Sequence, residues 1–286
     1  MTPELTTSID IGAGRVILTV EYDGHRFHGW QYQKMGIPSV EAALLKAVSK
    51  VADETVDLVC AGRTDAQVHA SHQVVHFETR ALRSLRSWVM GINSALPDEV
   101  CVHWAGNARD DFHARFSAVA RRYRYVIFNH PVRPGLLRHN VTWQYRPLDV
   151  EAMRKASRCL VGEHDFTSFR ATGCQAKSPV RRVEFLNIER FGHYIVIDIQ
   201  ANAFLHHMVR NIAGSLMAVG TGHRPVDWVE QALQSRDRRA GGVTAPPYGL
   251  YLVDVIYPEQ YGLPATRPGP AFLQPLFDGG IAGQRG

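Results

Sequence analysis

The stretch Val56-Asp-Leu-Val-Cys-Ala-Gly-Arg-Thr-Asp-Ala-Gln-Val-His-Ala-Ser-His-Gln-Val-Val-His-Phe-Glu-Thr79 decides how this chain is read. A largely apolar run ends at Val59, and alternation resumes over His72-Gln-Val-Val-His-Phe-Glu-Thr79. The pattern is strand, loop, strand, with Arg63, Thr64 and Asp65 at the exposed bend. Two readings stand side by side here: a glycine turn in which Thr64 and Asp65 bond the local backbone, or a reactive loop.

Working outward, Arg15 to Tyr22 is strand-like in its β-branched content, and Asp23-Gly24 closes it with a turn. Ser39 is placed to cap a helix whose apolar stripe is Val40, Ala43, Leu44, Ala47, Val48 and Val51. After the two central strands, Ser84 to Leu96 reads as a helix stopped by Pro97, and Val100 to Ala108 as a strand. The second half repeats this order: strand 117–129, helix 149–161 with Asp149 as N-cap and Gly162 as C-cap, hairpin strands 182–190 and 193–200 about Phe191-Gly192, helix 204–219 and strand 250–257. A short helix, 226–234, and a Gly/Pro loop, 241–247, fill the insertion before the last strand. The expected fold is α+β, two ferredoxin-like (split βαβ) halves with antiparallel sheets flanking a central cleft suited to a large ligand. The boundaries are a flexible N-terminus 1–14, a first half 15–116 with the loop 61–70, a second half 117–257, and a Pro/Gly-rich tail 258–286 that is mobile or loosely docked.

A chain of 286 residues with 45% hydrophobic composition can bury real cores. Its 32 basic against 27 acidic residues allow a polyanionic partner without demanding one. Cys60, Cys101, Cys159 and Cys174 show no CxxC spacing, which argues against a zinc knuckle or a disulfide framework and fits a reducing compartment. Neither a secretory leader nor an apolar run of about 18 residues is present, so the expectation is a cytoplasmic protein without a membrane partner.

Arg121-Arg-Tyr-Arg-Tyr125 opens the second half, with Arg121, Tyr123 and Tyr125 on one strand face and Arg122 and Arg124 on the other. Arginine neutralises phosphate and tyrosine stacks on an exposed base, so this strand suits an unpaired nucleotide; an edge strand with solvated arginines is the plainer alternative. On the apolar helix 204–217, His206, Arg210 and Gly214 form a row at i, i+4 and i+8. A guanidinium there calls for an anion, for which Asp65 is the candidate, unless Arg210 lies on an exposed polar edge. His69, His72, His76, His206 and His207 lack an HExxH or comparable ligand set and read as core or RNA-facing histidines; no metal is expected. No P-loop or GxGxxG pattern supports a nucleotide cofactor.

Several motifs in order resemble one family over nearly the whole chain: Glu21-Tyr-Asp-Gly24 with Phe27-His-Gly-Trp-Gln31, Ala61-Gly-Arg-Thr-Asp65 with Val68-His69, Asp111-Phe-His-Ala-Arg-Phe116, Arg121-Arg-Tyr-Arg-Tyr125, Asp165-Phe-Thr-Ser-Phe169, Ala203-Phe204 with His207-Met-Val-Arg-Asn211, and Gly249-Leu-Tyr-Leu252. The chain is similar to the bacterial tRNA pseudouridine synthase A family. That resemblance implies an isomerase that converts uridine to pseudouridine at tRNA positions 38, 39 and 40 in the anticodon stem-loop, a homodimer without metal or cofactor. It makes Asp65 the catalytic aspartate, Tyr123 the active-site tyrosine, Arg210 the partner of the aspartate, and Arg63 the residue that holds the displaced nucleotide. Arg121, Arg122, Arg124, His69 and His206 complete the expected RNA-binding set. One departure stands out: Gln67 replaces the glycine usual in the family, and a positive φ there would strain it by roughly 1 kcal/mol or more. Two other classes compete with the isomerase, a non-catalytic RNA-binding module and a metal-dependent RNA hydrolase.

Overall fold

The computed structural model describes residues 10–33, 36–265 and 268–274. Its first elements are β1 (Asp10–Tyr22), α1 (Val40–Ala52), β2 (Val59–Cys60), β3 (His69–Ser84), α2 (Leu85–Asn93) and β4 (Val100–Asn107). There follow β5 (Ala120–Asn129), β6 (Thr142–Gln144), α3 (Val150–Ser157), β7 (Gly162–Asp165), β8 (Val180–Phe191), β9 (Tyr194–Ala201), α4 (Met208–Gly220), α5 (Trp228–Ser235) and β10 (Leu250–Ile256). The described residues fall into two compact units, one running to Val119 and taking up the chain again at Leu252, the other spanning Ala120–Tyr251.

In the first unit the strands lie in the order β4, β1, β3, β10, with β2 paired to β3. β1 runs antiparallel to both neighbours, Leu18 facing Val75 on one side and Ala105 on the other. Flanked in this way, Val16, Ile17, Leu18 and Val20 are all fully buried, which explains why β1 is apolar at successive positions rather than alternating. Helices α1 and α2 pack on each other and on β3. The Ser39 hydroxyl accepts from the Ala42 amide and so caps α1 as its sequence predicts. Trp88 of α2 is fully buried, meets Phe77 edge-on at 5.5 Å and donates its indole N–H to Ile11 O at 2.7 Å. Burying such a ring contributes roughly 2 to 3 kcal/mol, and the hydrogen bond removes the cost of its polar edge.

The second unit orders its strands β5, β9, β8, β7, with β6 parallel to β5. The β8–β9 hairpin turns at Gly192-His193, one residue beyond the expected Phe191-Gly192, and Gly192 takes φ +57°. Asp149 caps α3 through the Ala152 amide at 3.0 Å, and α3 and α4 pack together against β8 and β5 respectively.

Several boundaries differ from the sequence expectation. β1 starts at Asp10, not Arg15, because Gly12, Ala13 and Gly14 take positive φ in an irregular pairing with the end of β3, and so carry no β-branched signal. α3 stops at Ser157, and Gly162 (φ +108°) opens β7 instead of capping the helix. α4 begins at Met208, since His207 sits in the left-handed region at φ 61°. Leu250 and Tyr251 of the last strand belong to the second unit, and from Leu252 the strand groups with the first. Part of the Pro/Gly tail is docked: Pro270 is buried, Leu273 is 0% exposed, and Gly269 packs so closely on Ser71 that a Cβ would lie 2.4 Å from its Oγ. Residues 1–9 and 275–286 lie outside the described residues.

Candidate functional site

Asp65 stands on a bend that is gripped from several sides within the first unit. The fully buried Gln73 side chain donates to Gly62 O at 2.6 Å and to the Tyr22 hydroxyl at 3.3 Å, while its Oε1 accepts from the Gly62 amide. The Tyr22 hydroxyl also shares a hydrogen bond with Thr64 Oγ1, 2.8 Å away. The Trp30 amide donates to Thr64 O at 3.0 Å, and the Gln67 amide to Phe27 O at 3.1 Å. Gly29 permits this approach: a Cβ there would stand 2.8 Å from Thr64 O and 3.2 Å from the Asp65 carbonyl carbon. Asp65 itself is partly exposed and Arg63 is exposed, both on a backbone that these bonds hold. Gln67 adopts φ +66°, the strained conformation foreseen for it.

His69 differs from expectation. It is 1% exposed, its Nδ1 lies 3.0 Å from both the Gly24 amide and an Asp23 carboxylate oxygen, and it fixes the turn after β1. A buried ring of this kind does not meet RNA. His72 and His76 are also interior, and burial pushes each down to about 4, so both are neutral at pH 7.

In the second unit, β5 sorts its residues by face as period two requires, but their roles divide. Arg122 Nε and Nη2 grip the two Asp198 oxygens at 2.7 Å each, and Arg124 Nε donates to Asp198 Oδ2 at 2.9 Å. Arg124 and Asp198 are each 5% exposed. Arg124 therefore ties β5 to β9 and is not a surface contact for phosphate, and Arg122 is largely committed to the same carboxylate. The other face carries Arg121, which donates to Asn202 O at 3.3 Å, and Tyr123, whose partly exposed ring meets Phe204 edge-on at 5.0 Å. Tyr125 is fully buried; its hydroxyl donates to Pro246 O at 2.9 Å and lies 2.6 Å from Thr142 Oγ1, and desolvation pushes its acidity well below that of an ordinary tyrosine. The nearby Arg210 charge opposes that shift.

Arg210 is held by the Gly/Pro loop. Its Nε donates to Ala245 O at 2.8 Å, and the Ala245 amide donates back to Arg210 O at 3.1 Å. The loop reaches α4 because Gly214 has no side chain: a Cβ there would lie 1.8 Å from Val243 O. Asn211, fully buried, accepts from Thr244 Oγ1 at 2.6 Å and Arg238 Nη2 at 3.1 Å and donates to Phe169 O at 2.7 Å. His206, expected in a helical row with Arg210, precedes the helix; it is exposed, its amide contacts Cys174 Sγ at 3.4 Å, and its ring lies 4.0 Å from that of His207.

Gln73, Asp198 and Asn211 were not among the expected site residues, and of the three Asp198 left the clearest signal. Asp198 is the one buried polar residue in a strand of apolar ones, and such a residue persists only when bonded.

The family model described as tRNA pseudouridine synthase matches residues 18–117 and 156–258. The tRNA pseudouridine synthase A of Pseudomonas aeruginosa is 56% identical over 276 residues, covering 96% of this chain and 97% of that protein. Those of Legionella pneumophila (strain Lens) and Shewanella amazonensis are 55% and 56% identical over 259 residues, 91% of this chain and 98% and 99% of theirs. Identity above one half across nearly the full length of each relative, on a chain that supplies an aspartate at a braced bend and an arginine braced on a helix, leaves one conclusion: the chain belongs to the tRNA pseudouridine synthase family and is an isomerase.

Proposed function

We propose that this isomerase converts uridine to pseudouridine at positions 38, 39 and 40 of the tRNA anticodon stem-loop, with Asp65 as nucleophile or base, Arg210 as the cation that pairs with it, and Tyr123 stacked on the uracil. The observation that carries the reading is the placement of Asp65: a partly exposed aspartate on a bend that Gln73, Trp30 and Gly29 hold in place. A protein that only bound RNA would gain nothing from a carboxylate aimed at an anionic ligand.

The reaction breaks the N1–C1′ bond, turns the uracil, forms a C5–C1′ bond and moves the C5 proton to N1, so atoms balance without a co-reactant. Asp65 in its ionised form adds to the base or sugar, or removes a sugar proton, and a neighbouring guanidinium from Arg210 would keep it ionised and oriented. The target base must leave its stack at a cost of a few kcal/mol, and exposed Arg63 on the same bend is suited to fill the vacated place. Arg121 and His206 remain candidates for RNA contact, whereas Arg122, Arg124 and His69 hold the scaffold. The active form is a homodimer working without metal or cofactor; light scattering and assay in EDTA check these two points.

The decisive experiment follows tritium release from C5-labelled uridine in anticodon stem-loops bearing the label at position 38, 39 or 40. Asp65→Asn abolishes release while RNA binding is retained. Undiminished release from Asp65→Asn overturns the assignment, and EDTA-sensitive cleavage of the RNA strand without tritium release would favour the hydrolase class instead.

A further inference from the structure

The segment Asp111-Phe-His-Ala-Arg-Phe116, which follows β4, has no role in the mechanism above, yet it is built with unusual care. Its alternate residues Phe112 and Ala114 are 0% exposed. Arg15 donates to Asp110 O at 2.7 Å and also to Phe112 O; the Ala114 amide donates to His76 Nδ1 at 3.1 Å; and the Tyr257 hydroxyl donates to Ala114 O at 2.5 Å. Three elements far apart in sequence therefore fix the backbone from beneath. His76 accepts that bond because burial keeps its ring neutral.

The outward side is the reverse of what a soluble loop needs. Phe116 is 75% exposed. Its ring lies over that of His113, centroids 4.3 Å apart and planes tilted by 31°, and the Arg115 guanidinium carbon sits 5.6 Å from the ring centroid. His113 is itself locked: its Nδ1 accepts from the Arg115 and Phe116 amides at 3.1 and 3.2 Å, its amide donates to Ser117 Oγ at 2.9 Å, and its ring meets His76 edge-on at 4.9 Å. A phenyl ring that is three-quarters exposed, backed by an immobilised imidazole and flanked by a cation, offers solvent an aromatic surface at a set orientation.

We propose that the outer face of Phe116, with Arg115 beside it, is a stacking platform for one unpaired base of the tRNA substrate, outside the catalytic pocket. Stacking on aromatic rings tolerates any base, and a preordered ring loses little entropy on binding. RNA is favoured over a protein partner because Arg115 flanks the ring and sets a cation beside the stacking surface, the pairing that a base and its phosphate require. The inference rests on the tRNA-isomerase reading for the identity of the ligand and on the geometry of the first unit for the site.

The test uses Phe116→Ala, Phe116→Leu and Phe116→Trp in the full chain, with binding of a fluorescein-labelled anticodon stem-loop followed by anisotropy at fixed salt. Ala and Leu raise Kd by about 5- to 150-fold, the equivalent of roughly 1 to 3 kcal/mol for one stacked base, and Trp stays within about threefold of the parent. Leu is the informative variant, since it keeps the apolar surface and lacks the π-face. Melting temperature monitors folding of each variant. Binding by Phe116→Leu or Phe116→Ala as tight as the parent overturns the proposal, as does a change of mass in light scattering with RNA affinity unchanged, which would assign the face to a second copy of the chain. Asp65→Asn run in parallel separates the two readings: release persisting in Asp65→Asn removes the catalytic assignment while lost affinity in the Phe116 variants would still uphold the platform.

Discussion

Replacing Gly214 by alanine sets intrinsic propensity against tertiary packing. Alanine favours a helix interior over glycine by about 1 kcal/mol, so by propensity alone Gly214→Ala stabilises α4. The structure predicts the opposite. The new methyl would lie 1.8 Å from Val243 O, and ordinary contact starts at 3.4 Å, so the 241–245 loop must retreat by about 1.6 Å. That movement breaks the bonds from the Gly242 amide to Ser215 Oγ, from Thr244 Oγ1 to Asn211 Oδ1, from the Ala245 amide to Arg210 O and from Arg210 Nε to Ala245 O. At about 1 kcal/mol each the loss is roughly 4 kcal/mol, which leaves a net destabilisation of about 3 kcal/mol and lowers the melting temperature by roughly 6 to 12 °C. Arg210 loses its orienting carbonyl, and a displacement of this size costs about 100-fold in the chemical step. Thermal melting by circular dichroism and single-turnover tritium release measure the two effects. A variant that melts at or above the parent temperature and releases tritium at the parent rate refutes the reasoning.

Two further outcomes are expected. His72 and His76 titrate near 6.5 when unfolded but near 4 in the fold, so between these pH values the unfolded chain binds more protons; stability is full above about pH 6.5 and falls on acidification toward pH 4, by at most roughly 3 kcal/mol per ring, and urea unfolding that is flat from pH 7.5 to 5 contradicts this. Gln67→Gly relieves the left-handed backbone at φ +66° but gains chain entropy when unfolded, so it stabilises by no more than about 1 kcal/mol, and a clear loss of stability shows that the Gln67 side chain contributes contacts of its own.

What the sequence by itself determined was local. Alternation identified the central part of β3, the caps at Ser39 and Asp149 located two helix starts, and Gly192 marked a hairpin to within one residue, because each signal depends on residues within one turn or one strand. The braced bend at Arg63-Thr-Asp65 was legible for the same reason, as polar residues between two apolar runs. Tertiary structure alone decided which charged groups are spent on the fold. Arg124 looked like a ligand for phosphate until β9 brought Asp198 to it across 74 positions of chain, and His69 looked outward until the turn at Asp23 closed over it. The His206 row failed because one residue, His207, entered the left-handed region and delayed α4. The loop at Ala245 that orients Arg210 and the docking of Leu273 follow from close packing between distant segments, and close packing depends on shapes meeting in space that no local pattern encodes.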